Sequence, residues 1–237
     1  MAGLLTGENT VITLLLMTVL SWPARFRHMT NDTPLLSGPS TAGSDPTRAA
    51  LLDAAHALLS AGGPEALTVR AIATRAGMST MNVYSRFGGK DGVLDELFSH
   101  GFRQLAEQMR RAPTTADPLA DLRRCGHEYR RFARERATTY SLMFERPVPE
   151  YRPSLAARTV AMDALVLLAE RVERAMAEGA LRRGDPFVAA SALWSLVHGL
   201  ASLEAATAHD HDDGEPSPFE WDDIADVAVD GLLAGLR

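Results

Sequence analysis

Cysteine and lysine are almost missing from this 237-residue chain. Cys125 is its one cysteine, so no disulfide can close within the chain, and a reducing, cytoplasmic setting is expected. Lys90 is its one lysine; 24 basic residues less that one leaves 23 arginines. No segment keeps the two-residue alternation of a half-buried strand, so a β-sheet architecture is excluded and an all-α one is expected. Nucleophile elbow, phosphate-cradling glycine loop and His-Glu metal motif are all missing, so no enzyme activity, catalytic residue, cofactor or metal site is expected. The apolar run 11–22 is shorter than the ~20 residues of a spanning helix. It also has no basic residue before it, as a secretory leader would, so no membrane role is expected.

What is present reads as globular and helical. The chain is 46% hydrophobic and 23% charged, and it is rich in the strong helix formers Ala, Leu and Arg. Its formal charge of -6 excludes a general nucleic-acid coat but permits a local site. Residues 1–45 read as a disordered or mis-assigned extension: translation beginning at Met29 would leave 30–46, rich in Thr, Ser, Pro and Gly, as a disordered arm. Helical periodicity and caps then predict helices at about 46–61, 68–76, 79–87, 90–111, 118–136, 138–145, 154–178, 185–208 and 219–236. Asp45-Pro46 opens the first of these and Gly62-Gly63-Pro64 ends it. The stretch 187–203 is apolar almost all round, so it must be covered on more than one side, by its own domain and by a partner subunit. The stretch 204–226 carries nine acidic residues and no lysine or arginine, and is expected to be a solvated loop.

Residues 68–90, TVRAIATRAGMSTMNVYSRFGGK, stand apart. They hold Arg70, Arg75, Arg86 and Lys90 and no acidic residue. Thr68 is placed to cap one short helix and Ser79 the next. Gly77 suits the left-handed turn between them. Val83 and Phe87, four apart, would seat the second helix, leaving Thr80, Met81, Asn82, Tyr84, Ser85 and Arg86 facing outward. That is helix-turn-helix geometry, with the second helix free to enter a major groove. Asn82 can pair bidentately with adenine, Met81 can touch a thymine methyl, and hydroxyls can reach phosphates. Lys90 places a positive charge at a helix N-terminus, a phosphate site. Arg86 suits either a phosphate contact or a pairing with a nearby carboxylate.

Residues 47–97 closely resemble the N-terminal domain of TetR-family transcriptional regulators, most clearly in the run LTVRAIATRAGMSTMNVYSRFGGKDGVL. WSLVHGL, with Trp194, His198 and Gly199, resembles the Trp-His-Gly element of one C-terminal subgroup. The resemblance implies a three-helix DNA-binding domain over 46–92 and a helical effector-binding and dimerisation domain over 93–237. It places Thr68, Thr80, Asn82, Tyr84 and Lys90 at DNA-contact positions, and Arg70, Ser79, Met81 and Arg86 join them as candidates on this surface. Met81, Arg86 and the pair Gly88-Gly89 depart from the commoner family residues, which bears on base preference. The resemblance further implies a ligand-responsive repressor that binds a palindromic double-stranded operator as a homodimer through its last two helices. A small-molecule effector of unknown identity would release it.

Tyr129, Phe132, Met143, Phe144, Met162, Trp194 and His198 are candidates to line the effector pocket, although ordinary core is the favoured reading of each, most of all for His198. Cys125 and His127, two apart, do not share a helix face, so a redox pair is not expected. His209, His211, Asp212 and Asp213 read as solvated rather than as metal ligands. A helical small-molecule-binding protein without DNA function is the alternative reading. Salt-dependent affinity for duplex DNA separates the two.

Overall fold

The computed structural model describes residues 45–145, 147–210 and 220–237. The extension 1–44 and the residues 211–213 considered above as metal ligands lie outside that set, as does the side chain of residue 209. All regular structure among the described residues is helical, as the sequence predicts. The helices are α1 (Pro46–Ala66), α2 (Val69–Arg75), α3 (Thr80–Phe87), α4 (Lys90–Arg110), α5 (Pro118–Glu135), α6 (Ala137–Phe144), α7 (Leu155–Ala177), α8 (Pro186–Asp210) and α9 (Trp221–Gly235).

Local chemistry sets most of the boundaries. The side chains of Asp45, Thr68, Asp117 and Ser154 each accept a bond from a backbone N–H in the first turn that follows. Proline occupies the first helical position of α1 and α5, where its missing N–H costs nothing. One expected boundary moves. Helix α1 does not finish at its glycine pair; it kinks at Gly63 (φ 65°, ψ -166°) and resumes as one further turn to Ala66. Gly63 supplies the break, and Pro64 then starts the new turn.

Helices α1–α3 form the small N-terminal unit, closed around Leu51, Ala55, Ile72 and Val83. Helix α4 belongs to both units. Its start packs on α3, and its length lies along α7 in the larger body of α4–α9. A single apolar cluster runs through both units. Helix α8 is apolar and long enough to cross a membrane by composition, but Ala189, Ala190, Leu193 and Val197 are buried against α5 and α7.

The expected solvated loop at 204–226 needs correction at both ends. Helix α8 carries Glu204, and α9 carries Asp222 in its first turn. Both carboxylates accept from Arg130, at 3.0 and 2.9 Å, and the Arg130 side chain is only 1% exposed. Arg134 joins the same pair at 3.1 and 3.2 Å. Local charge density makes this stretch look solvated, while two arginines from α5, 70 to 92 residues away in sequence, satisfy part of it.

Candidate nucleic-acid interface and ligand cavity

Helix α2 ends at Gly77, whose φ of 67° carries the chain into the turn. The Met78 N–H returns to the Ala73 carbonyl at 2.8 Å and the Gly77 N–H to Thr74 at 3.1 Å, so the turn satisfies the helix-end carbonyls. Val83 is fully buried beneath α3. Phe87 is partly buried, with the Arg48 guanidinium 4.5 Å above its ring. With its inner face anchored, α3 presents its other side to solvent. Thr80, Met81, Tyr84 and Ser85 are exposed, as are Ser79, Thr68 and Arg70 beside them. Met81 is 70% and Tyr84 55% exposed, high for large side chains. Asn82, Arg86 and Lys90 are half-buried at the edges of that face.

Two glycines with positive φ, Gly88 (76°) and Gly89 (142°), turn the chain from α3 into α4. Lys90 is the first residue of α4, beside the free N–H groups of its opening turn. Gly92 follows, where a Cβ would stand 1.7 Å from the Phe87 carbonyl oxygen. This glycine, which sequence reasoning passed over, lets α4 press directly on the end of α3.

Ser79 differs from expectation. It occupies the N-cap position of α3, but its side chain makes no capping bond. Its hydroxyl instead accepts from the Asn82 amide Nδ2 at 3.2 Å. The Asn82 Oδ1 in turn accepts from Arg86 at 2.9 Å, and the Arg86 Nε donates to Asp45 at 2.7 Å. Of the two roles open to Arg86, the carboxylate pairing is the one formed in this structure. Asp45 and Arg48 are further residues that the sequence did not assign here. Arg48 donates to the Arg86 carbonyl at 3.0 Å and pairs with Glu96 at 2.5 Å, tying α1 to both α3 and α4. Their partners lie 38 to 48 residues away, beyond any periodic signal.

The larger body holds an apolar cavity of about 50 Å³ between α4, α5, α7 and α8. Tyr129, Met162 and Trp194, three of the pocket candidates, lie on its wall with Phe102, Met109, Leu122 and Cys125. The candidates Phe132, Met143, Phe144 and His198 do not. Phe132 and Met143 are closed into the core at 1% exposure. Phe144 and His198 sit behind the wall in an aromatic cluster, their ring centroids 4.7 Å apart. The Cys125 thiol is pushed up to about 11 by burial, so it is an inert wall group. His127 faces away from it and meets Asp226 at 3.0 Å.

His198 is a satisfied core histidine. Its Nδ1 meets the Tyr140 hydroxyl at 2.7 Å and the Tyr129 hydroxyl at 2.9 Å. Burial lowers its pKa to about 4, so the ring is neutral at pH 7. The Trp194 ring stacks beside His198, its centroid 5.6 Å away. Trp194 and His198 are spaced four apart and share one face of α8. The two tyrosines come from α5 and α6, so this network joins three helices directly behind the cavity.

Residues 51–97 match the family model of bacterial regulatory proteins, tetR family. Residues 122–230 match that of the Tetracyclin repressor-like, C-terminal domain. No protein of curated function matches the sequence. Among solved structures, a protein of unknown function from Rhodococcus sp. RHA1 is 24% identical, with 84% of this chain and 99% of that one covered at a TM-score of 0.68. The TetR family transcriptional regulator PfmR from Thermus thermophilus is 23% identical, with 79% and 98% covered at 0.57. The transcriptional regulator FadR from Bacillus subtilis, solved in complex with stearoyl-CoA, is 15% identical, with 80% and 99% covered at 0.61.

Proposed function

Because this chain belongs to the TetR family of DNA-binding transcriptional regulators, we propose that it is a ligand-responsive repressor acting as a homodimer on a palindromic operator. The observation that carries this reading is the outward face of α3. An anchored helix presents Thr80, Met81 and Tyr84 to solvent, with Asn82 half-buried at the edge of that face and Lys90 at the start of the next helix. Hydroxyls and helix N–H groups suit phosphates, Asn82 suits an adenine edge and Met81 a thymine methyl.

The last two helices supply the dimer face in this reading. Val188 and Leu203 on α8 and Val227 on α9 are 67%, 58% and 76% exposed, a cost that a second copy would remove. Two-fold pairing would set the readers about one helical turn of DNA apart, or a multiple of it.

The effector would be a largely apolar molecule, since the cavity wall carries no charged group. The stearoyl-CoA bound by the Bacillus subtilis regulator has such an apolar part. At about 50 Å³ the cavity is far smaller than a small-molecule site needs. Binding would therefore spread α4, α5, α7 and α8, and a ligand that favours the spread state shifts the population towards it. Helix α6 offers a route to the reader. Its Tyr140 and Phe144 pack on His198, and its Thr139 hydroxyl lies 3.2 Å from the His56 ring on α1.

The test is gel-shift titration on genomic fragments selected by the protein itself. Tyr84→Phe with Lys90→Ala should weaken binding at every sequence and lower the salt slope by about 1, with circular dichroism unchanged. Wild-type and variant curves that superimpose would remove those contacts. A wild-type protein without salt-dependent duplex affinity would favour ligand binding without DNA function.

A further inference from the structure

We propose that Asp45, outside the helix-turn-helix, is a specificity-determining positioning residue: it clasps Arg86, and Arg86 fixes the amide of Asn82 on the reader face. The proposal rests on the reading that α3 meets DNA.

The Asp45 carboxylate does two things at once. Its Oδ1 caps α1 by accepting from the Thr47 N–H at 3.0 Å, and its Oδ2 accepts from the Arg86 Nε at 2.7 Å. The bond from Arg86 holds the Asp45 carboxyl below its ordinary value. Arg86 is the one cationic residue in the sequence of α3, so Asp45 cancels the reader helix's own charge. With Nε engaged, the guanidinium lies along the helix, and its second nitrogen donates to the Asn82 Oδ1 at 2.9 Å. The Asn82 Nδ2 then points to Ser79 at 3.2 Å. A guanidinium has no acceptor, so the amide oxygen must face it, and the orientation of Asn82 is set. One N–H and one lone pair of that amide stay free for a base edge.

Without the Asp45 charge, Arg86 would be free to swing to a backbone phosphate. That gains a sequence-independent contact and releases the Asn82 amide to rotate. Asp45 therefore lowers general affinity and sharpens base reading. The side chains of Arg86 and Asp45 are 28% and 41% exposed, so the clasp is weak enough for this trade to be modest.

Asp45→Asn tests this cleanly, because asparagine caps a helix as well as aspartate does and the fold is kept. Binding to non-operator duplex should tighten by about two- to five-fold, the scale of an exposed ion pair. Its salt slope should steepen by about 0.9, one further phosphate. The ratio of operator to non-operator affinity should fall. In an Arg86→Ala background, Asp45→Asn should change none of these. Equal tightening in both backgrounds would mean plain repulsion between Asp45 and DNA and would overturn the proposal. So would an unchanged salt slope and affinity ratio in the single variant. A wild-type protein that binds no duplex at all fails the DNA reading itself, a result distinct from these, and removes the proposal with it.

Discussion

Gly92 lies so close to the Phe87 carbonyl that a Cβ at position 92 would stand 1.7 Å from that oxygen. The obstructing atom is backbone, which cannot rotate away as a side chain would. The angle between α3 and α4 therefore depends on a single missing methyl group. Gly92→Ala should destabilise the N-terminal unit by about 3 kcal/mol, at the upper end for overpacking. Urea denaturation checks the stability, and duplex affinity should fall with it. A variant with wild-type midpoint and affinity would show that the contact is not a constraint.

His198 predicts an acid-sensitive body. Burial lowers its folded pKa to about 4, against an ordinary value of 6.5. The folded state thus resists the proton that the unfolded chain accepts. The stability from a neutral His198 is complete above pH 6.5 and is lost as pH falls from there towards 4. The loss is on the order of 3 kcal/mol. Thermal melts between pH 7 and pH 4 should show it, and His198→Gln should flatten that part of the profile. Parallel profiles for the two proteins would contradict the assignment.

Asp121 behaves in the opposite sense. Its burial works to raise the carboxyl, but Thr115 bonds it through both backbone N–H and hydroxyl, and Arg124 and Arg174 pair with it. The net result is a pKa lowered from 3.8 to about 2. A depressed folded pKa contributes stability that is present above pH 3.8 and lost as pH falls through 2. Asp121→Asn leaves two arginines without their carboxylate and should cost about 3 kcal/mol at pH 7. Urea titrations at pH 7 and at pH 2 check this, since the gap between variant and wild type should close in acid.

Much of the fold was legible because its signals are local. The Thr68 cap reaches a backbone N–H three residues on, and the left-handed turn at Gly77 needs only that glycine. Val83 reads as an anchor because four-residue spacing puts it on the face opposite Met81 and Tyr84. Arg86 was not resolvable in the same way. Its two roles differ by whether a carboxylate 41 residues earlier lies within reach, which no spacing rule reports. The pocket candidates divided for a similar reason. Tyr129 and Trp194 reach the cavity wall while Phe144 and His198 stand behind it, although all four are apolar-face residues of adjoining helices.

The sequence by itself determined the helical class, the Asp45 and Thr68 caps, the turn at Gly77, and the exposure of Thr80, Met81, Tyr84 and Ser85 on α3. Each of these follows from hydrogen bonds and periodicities that span a few residues. Tertiary structure alone decided that Asp45 meets Arg86, that Gly92 must lack a side chain, and that two tyrosines from different helices converge on His198. It also decided that Arg130 is buried between Glu204 and Asp222. Those are relations between segments far apart in the chain, and they exist only once the helices have packed.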